Sequence, residues 1–250
     1  MQFSYLQLNI WLGGKVWNPM VAYLKQENPD ILALQEVYDG HDPALEKRFR
    51  TVEELKKELG YPYHTFQTAS IDTRENCNIP WGNAIFTKFP ITHSEAIFFD
   101  VPFGENQTGI EYAETAPRNM AHAVVACGGE EINVFSLHGI WGHDGEDNAR
   151  RIAMSNTILE HVCNKKHTVL SGDFNVREKT RTIEILEEKL VSVFKNELET
   201  TRNMRQCNNP KFTHSVIDFI FASRDLSVVS HRCSDADVSD HVPLAATFEL

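Results

Sequence analysis

The chain has 250 residues, 42% of them hydrophobic and 24% charged, so it is neither disordered nor fibrous and can bury a sizeable core. Its net charge of −11 sets the surface against polyanions at long range and argues against a protein that coats nucleic acid nonspecifically. An enzyme whose site is acidic by sequence and cationic only when a metal is bound stays within these bounds.

The first residues, Met1 to Asn9, carry neither a basic segment nor a long apolar run, so no signal peptide is expected. A strand is predicted over 3–10. Val16, Met20, Val21 and Leu24 then form one face of a helix that must stop before Pro29. A second strand follows the Pro29-Asp30 turn at 31–34. A short helix over 52–59 is closed by Gly60, and strands are predicted at 83–87, 121–126 and 132–137. A longer helix spans 149–162, followed by a strand at 167–170 and a helix at 182–190. Strands at 217–222, 227–231 and 244–248 complete the set. Loops fall at 37–50, 99–118 and 200–214. Many short strands with few helices imply sheets packed face to face and flanked by helices. No composition shift marks a boundary, so residues 1–250 read as one domain. No apolar run approaches the ~20 residues of a membrane span.

The five cysteines, Cys77, Cys127, Cys163, Cys207 and Cys233, are scattered without C-x-x-C spacing. Reduced thiols and a cytoplasmic location are the expectation, rather than a disulfide framework or a zinc cluster.

Polar residues recur where apolar strands end. Asn9 interrupts Leu8-Asn9-Ile10, Glu36 follows Ile31 to Gln35, and His138 follows Val134 to Leu137. Asp173 and Asn175 follow Val169 to Gly172, Asp218 sits among Val216, Ile217, Phe219 and Ile220, and Asp240-His241 precedes Pro243-Leu244. A carboxylate beside a buried strand is costly to desolvate unless it is paired or bound to metal. Glu36 alone reads as a strand-end surface residue and Asp173 alone as a turn former. Six such interruptions in one chain point instead to a shared site at one sheet edge. Oxygen ligands without thiolates suit Mg²⁺, and acids, amides and histidines together fit metal-assisted phosphoester hydrolysis.

Seven motifs in order sharpen this reading: Leu8-Asn9-Ile10, Leu34-Gln35-Glu36-Val37, Trp81-Gly82-Asn83-Ala84-Ile85, Ser136-Leu137-His138, Gly172-Asp173-Phe174-Asn175, Ile217-Asp218-Phe219-Ile220 and Ser239-Asp240-His241-Val242-Pro243. The ordered set resembles the endonuclease/exonuclease/phosphatase superfamily. The resemblance implies a four-layer α/β sandwich of two packed mixed β-sheets flanked by helices. It implies a metal-dependent phosphoric ester hydrolase using Mg²⁺, with Mn²⁺ as a substitute. Glu36 is implied as the main metal ligand, with Asn9 beside it and Asp240 near the metal. Asp173 is implied to activate water, Asn175 to place water and phosphate, and His241, held by Asp218, to donate to a phosphate oxygen. His138 is implied to contact phosphate or assist the leaving oxygen. Arg118 matches the family arginine that approaches phosphate, with a surface-loop cation as the competing reading. A nucleic-acid phosphodiester is the expected substrate, and a phosphorylated small molecule or lipid headgroup the alternative. Leu-Gln-Glu-Val, in place of the Gln-Glu-Thr-Lys of abasic-site enzymes, argues against that specificity. A monomer with no membrane contact is expected. Trp81 and Trp141 could stack on a base or pack in the protein, His143 reads as a polar loop residue, and Arg150 and Arg151 as a solvated helix face.

Overall fold

The computed structural model describes residues 1–73, 78–106, 115–207 and 209–250. Two mixed β-sheets form its centre. In chain order the strands are β1 (Gln2–Asn9), β2 (Ile31–Tyr38), β3 (Tyr63–Asp72), β4 (Ile79–Thr87), β5 (Ile91–Phe98), β6 (Gly104–Asn106), β7 (Asn119–Cys127), β8 (Glu130–His138), β9 (Thr168–Asp173), β10 (Val191–Ser192), β11 (Asp218–Ala222), β12 (Ser227–Cys233) and β13 (Leu244–Glu249). One sheet has the order β12-β13-β1-β2-β4-β3-β6 and the other β10-β11-β9-β8-β7-β5. Helices α1 (Trp17–Glu27) and α2 (Thr51–Leu59) cover the first sheet, and α3 (Ala149–Val162) and α4 (Arg181–Glu187) the second.

Side-chain alternation makes these layers. Along β1, Phe3 and Tyr5 point into the core between the sheets, while Leu6 and Leu8 pack outward with Met20, Leu24 and Leu55 of the helices. The second sheet does the same: Val134, Val169 and Ile220 face inward, and Phe135, Leu170 and Phe219 pack outward with Met154, Ile158 and Leu186. The four-layer sandwich follows directly.

Helix ends obey local chemistry. The Asn148 side chain accepts the Arg151 amide at the start of α3, and α2 stops at Gly60, which has φ +70°. Helix α1 ends at Asn28, also left-handed, just before Pro29. Several expectations change. The strand at 31–34 runs on to Tyr38, and the loop at 37–50 closes with a 3₁₀ turn, Lys47–Arg50. The helix at 182–190 ends earlier, at Glu187. Strands β3 and β5 were not expected, because polar residues fill them: β5 carries exposed Thr92, His93, Ser94 and Glu95 at a sheet edge. Within the expected loop at 99–118, β6 forms at 104–106; residues 107–114, like Cys77, lie outside the described residues. The four described cysteines are free thiols. Among the described residues no helix is long and apolar enough to cross a membrane.

The inter-sheet face changes character along its length. At one end it is apolar. Midway, Gln7 donates to Gln35 at 2.9 Å and to Asp218 at 3.2 Å, Gln35 donates to Ser136 at 2.9 Å, and Tyr5 and Ser171 share a 2.6 Å bond. At the far end, two residues on along each strand, stand Asn9, His138 and Asp173. The period-2 rule that fills the core thus also carries polar side chains to one edge.

Candidate active site

Parallel pairing sets the end of β1, Asn9, beside Gln35 of β2, and puts the ends of β8 and β9 side by side, with His138 opposite Asp173. Antiparallel β11 starts at Asp218, also opposite Asp173. Gly172 allows the close approach of β8 and β9: its φ is +145°, and a Cβ there would lie 1.9 Å from the Leu137 carbonyl oxygen.

Glu36 sits in a bulge of β2 against β4, with φ +60°. The bulge turns its carboxylate to the strand end, as bulges beside functional sites do. Its Oε2 accepts the Leu12 amide at 2.7 Å, and its Oε1 accepts Asn9 Nδ2 at 3.2 Å. The same Asn9 nitrogen donates to Asp173 Oδ2 at 3.1 Å, so one amide ties the two carboxylates together. Asn9 Oδ1 turns back to accept the Trp11 amide.

Asp173 is 2% exposed. Its Oδ1 accepts the Asn175 amide, and its Oδ2 lies 3.6 Å from Nε2 of both His138 and His241. Burial is the main influence on this carboxyl and raises its pKa to about 6, with Asp218 adding to the rise and His241 and Arg202 opposing it. Asn175, with φ +56°, donates to the Gly139 carbonyl oxygen.

His241 Nδ1 is 2.7 Å from Asp218 Oδ2. Burial would depress this imidazole; the Asp218 carboxylate reverses that, and with Asp173 and Asp240 it lifts the pKa to about 9 against the opposing charge of Arg202. His241 is thus hydrogen-bonded to Asp218 on one side and ion-paired with Asp173 on the other.

Arg118 is buried, stacks over Trp81 and approaches His138 Nδ1 at 3.4 Å. It is a wall of the cleft rather than a surface-loop cation. Trp81 is buried against His138 and Arg118, so it packs rather than offering a free stacking face. Trp141 lies half-buried on the cleft wall beside His143. Arg151 departs from the expected solvated face: it is fully buried and bonds to Asp144 and to the Ile140 and Glu146 carbonyl oxygens.

All nine residues singled out by sequence, Asn9, Glu36, Arg118, His138, Asp173, Asn175, Asp218, Asp240 and His241, meet at this edge. All but Asn9 and Asp218, which lie just beneath, line one cleft of about 290 Å³. One residue was missed. Arg202 donates to Asp240 Oδ2 at 2.9 Å, and its other terminal nitrogen reaches His241 Nε2. An isolated bridge between Arg202 and His241, with the Val242 amide on the Thr201 carbonyl oxygen, holds it there. Its segment lacks apolar periodicity, so no sequence signal marks it.

The cleft's anionic donors, Glu36, Asp173 and Asp240, are all oxygen, and among the described residues no cysteine lines it. That set fits a hard divalent cation.

The sequence model of the endonuclease/exonuclease/phosphatase family matches residues 6–241. A search of curated proteins finds no match. Among solved structures, an endonuclease/exonuclease/phosphatase from Beutenbergia cavernae superposes with a TM-score of 0.78 at 18% identity, covering 100% of this chain and 72% of the other. The human Nocturnin catalytic domain with bound sulfate gives 0.70 at 21% identity, covering 99% and 93%. A Bacteroides thetaiotaomicron mannosyl-6-phosphatase gives 0.70 at 19% identity, covering 99% and 100%. At these identities the structures speak for the fold.

Proposed function

Because the chain belongs to the endonuclease/exonuclease/phosphatase family, whose members are hydrolases acting on phosphate esters, we propose that it hydrolyses a phosphate ester in the cleft around Asp173 with the help of Mg²⁺. The observation that carries this reading is the position of the Asp173 carboxylate: tied to Glu36 through Asn9, and 3.6 Å from two imidazole nitrogens.

Glu36 would be the principal metal ligand, with Asp240 and Asn9 adjoining. A cation held there supplies charge neutralisation at the phosphoryl oxygens. Asp173 takes a proton from the attacking water as its oxygen bonds to phosphorus. A carboxyl raised to about 6 is a fit acceptor near neutral pH. Asn175 orients the water and the phosphate. His241, protonated and held by Asp218, donates from Nε2 to a non-bridging oxygen. His138, also beside Asp173, is placed to protonate the departing ester oxygen.

Arg202 belongs to this machinery. Its guanidinium nitrogen and His241 Nε2 face the same space, and with His241 protonated both are donors. An oxygen accepting from both resolves that conflict, and a phosphate oxygen has the required charge. Arg118 supplies a second guanidinium from the opposite element, β7 and the loop before it.

For the rest of the substrate we favour a nucleotide unit or a short strand of nucleic acid. Trp11 and Trp141, both partly exposed at the cleft, offer stacking surface, whereas the net charge of −11 disfavours a long polyanion. That same acidic surface favours a second reading, a small phosphorylated metabolite. A panel with Mg²⁺ distinguishes them: single-stranded DNA, RNA, duplex DNA, nucleotides, sugar phosphates and sphingomyelin. Turnover of oligonucleotides above sugar phosphates supports the first reading, and the reverse supports the second. Turnover of none of these esters would refute both.

A further inference from the structure

A second cluster of ligating side chains lies on the outer face of the other sheet, away from the cleft. Glu95 on β5 stands opposite His122 on β7, and His93 shares the face two residues earlier. A bulge between Ile91 and His93 makes this possible: Ile91 pairs with Val125 on the inner side, while His93 stays outward. His93 and Glu95 are exposed at 57% and 44%, whereas His122 is buried and its ring lies flat on Phe135 at 4.2 Å.

The hydrogen bonds of His122 fix its tautomer. Asn133 Nδ2 donates to the Lys166 carbonyl oxygen at 2.9 Å, which can only accept. Asn133 must therefore present Oδ1 to His122 Nε2, 3.1 Å away, and Nε2 carries the proton. In the neutral ring, Nδ1 is then a bare lone pair facing Glu95 Oε1 at 3.0 Å. Two acceptors at that separation need a positive centre between them. A proton shared with Glu95 alone would leave His93 no part in the cluster, whereas a metal ion engages all three side chains, whose ligand atoms lie within 4.8 Å of one another.

We propose that His93, Glu95 and His122 bind a transition-metal cation of the zinc class. His93 Nε2 is 3.6 Å from the same Glu95 oxygen. Zn–N and Zn–O bonds of about 2.0–2.1 Å at tetrahedral angles put neighbouring ligand atoms about 3.3 Å apart, which these distances bracket. Two imidazoles and one carboxylate select zinc over magnesium. The open side at His93 and Glu95 leaves a fourth position for water. Asn133 is the outer partner that orients a metal-binding histidine.

The test uses the full chain, stripped of metal and held in excess Mg²⁺ to load the cleft, titrated with Zn²⁺ and separately with Co²⁺. One Zn²⁺ per chain is expected, with the visible absorption of tetrahedral Co²⁺. His93→Ala and Glu95→Gln, at exposed positions that leave the fold intact, should each weaken Zn²⁺ at least tenfold and leave Mg²⁺-dependent hydrolysis unchanged. Asn133→Ala should weaken it by roughly 10–100-fold. Absence of Zn²⁺ binding to the wild-type chain overturns the proposal, as does wild-type affinity in both exposed variants. A ¹⁵N spectrum showing His122 as an imidazolium unmoved by Zn²⁺ would overturn it too, reducing the pair to an ordinary ion pair.

Discussion

Asp218 Oδ2 and His241 Nδ1 lie 2.7 Å apart, with side chains 0% and 2% exposed. They come from different elements, Asp218 from the start of β11 and His241 from the loop before β13. Gln7 donates to the other Asp218 oxygen, and the Asp218 and Ile217 amides both donate to Thr201. A buried carboxylate so held has one strong use, to keep the imidazole protonated and oriented. Losing a charge-stabilising donor costs about 10²–10³-fold in kcat, so His241→Ala should fall in that range. Asp218→Asn should act through the same ring, and the double variant should lose little more than His241→Ala alone. Multiplying losses in kcat would separate the two residues.

Arg202 bridges Asp240 and the space in front of His241. Arg202→Ala should lower kcat/KM by at least tenfold, and guanidinium ion added to the solution should recover part of it. Arg202→Lys should rescue only weakly, because an ammonium cannot reproduce the planar fork. Wild-type kcat/KM in Arg202→Ala would remove this residue from the account.

Metal removal gives a third expectation. Chelation should abolish hydrolysis, and Mg²⁺ or Mn²⁺ should restore it, since the ligand set is oxygen. Glu36→Gln, which removes the ligand's charge, should weaken Mg²⁺ in a calorimetric titration without unfolding the chain. Unchanged affinity would reassign the ligand.

The fourth concerns stability. The Asp147 carboxylate accepts the Arg181 and Thr182 amides and the Thr182 hydroxyl, capping α4 from a distant loop. Desolvation would raise this carboxyl, but the Thr182 and Arg181 hydrogen bonds outweigh it and lower its pKa. A depressed folded pKa means stability that is present above the unfolded value of about 3.9 and lost as pH falls through the folded pKa. Asp147→Asn should therefore cost about 0.3–1 kcal/mol at pH 7, the value of an exposed carboxylate charge at a helix N-terminus. Its denaturation curve should converge with wild type in acid below the carboxylate range. A gap that persists there would assign the loss to packing.

Helix α3 was legible from its apolar period, and α2 because Gly60 ends it. Strand β5 was not, since an edge strand with an exposed polar run shows no alternation. In the site, Asp173 and Asp218 stood out as acids against apolar runs. Gln7, Gln35, Ser136 and Ser171 did not, because a neutral polar residue in a strand is unremarkable until its partners are known. Arg202 was invisible for a different reason: a loop residue has no period, and only its bridge to His241 places it.

The central claim is that Asp173 activates water in a metal-loaded cleft. It is tested most directly by kcat of Asp173→Asn with saturating Mg²⁺ on the best substrate of the panel, alongside a thermal melt. The amide keeps the shape and cannot take the proton, and a general base contributes roughly 10²–10⁴-fold. The expected result is a folded protein with kcat reduced by at least about 10²-fold. A folded Asp173→Asn protein turning over at the wild-type rate would contradict the account.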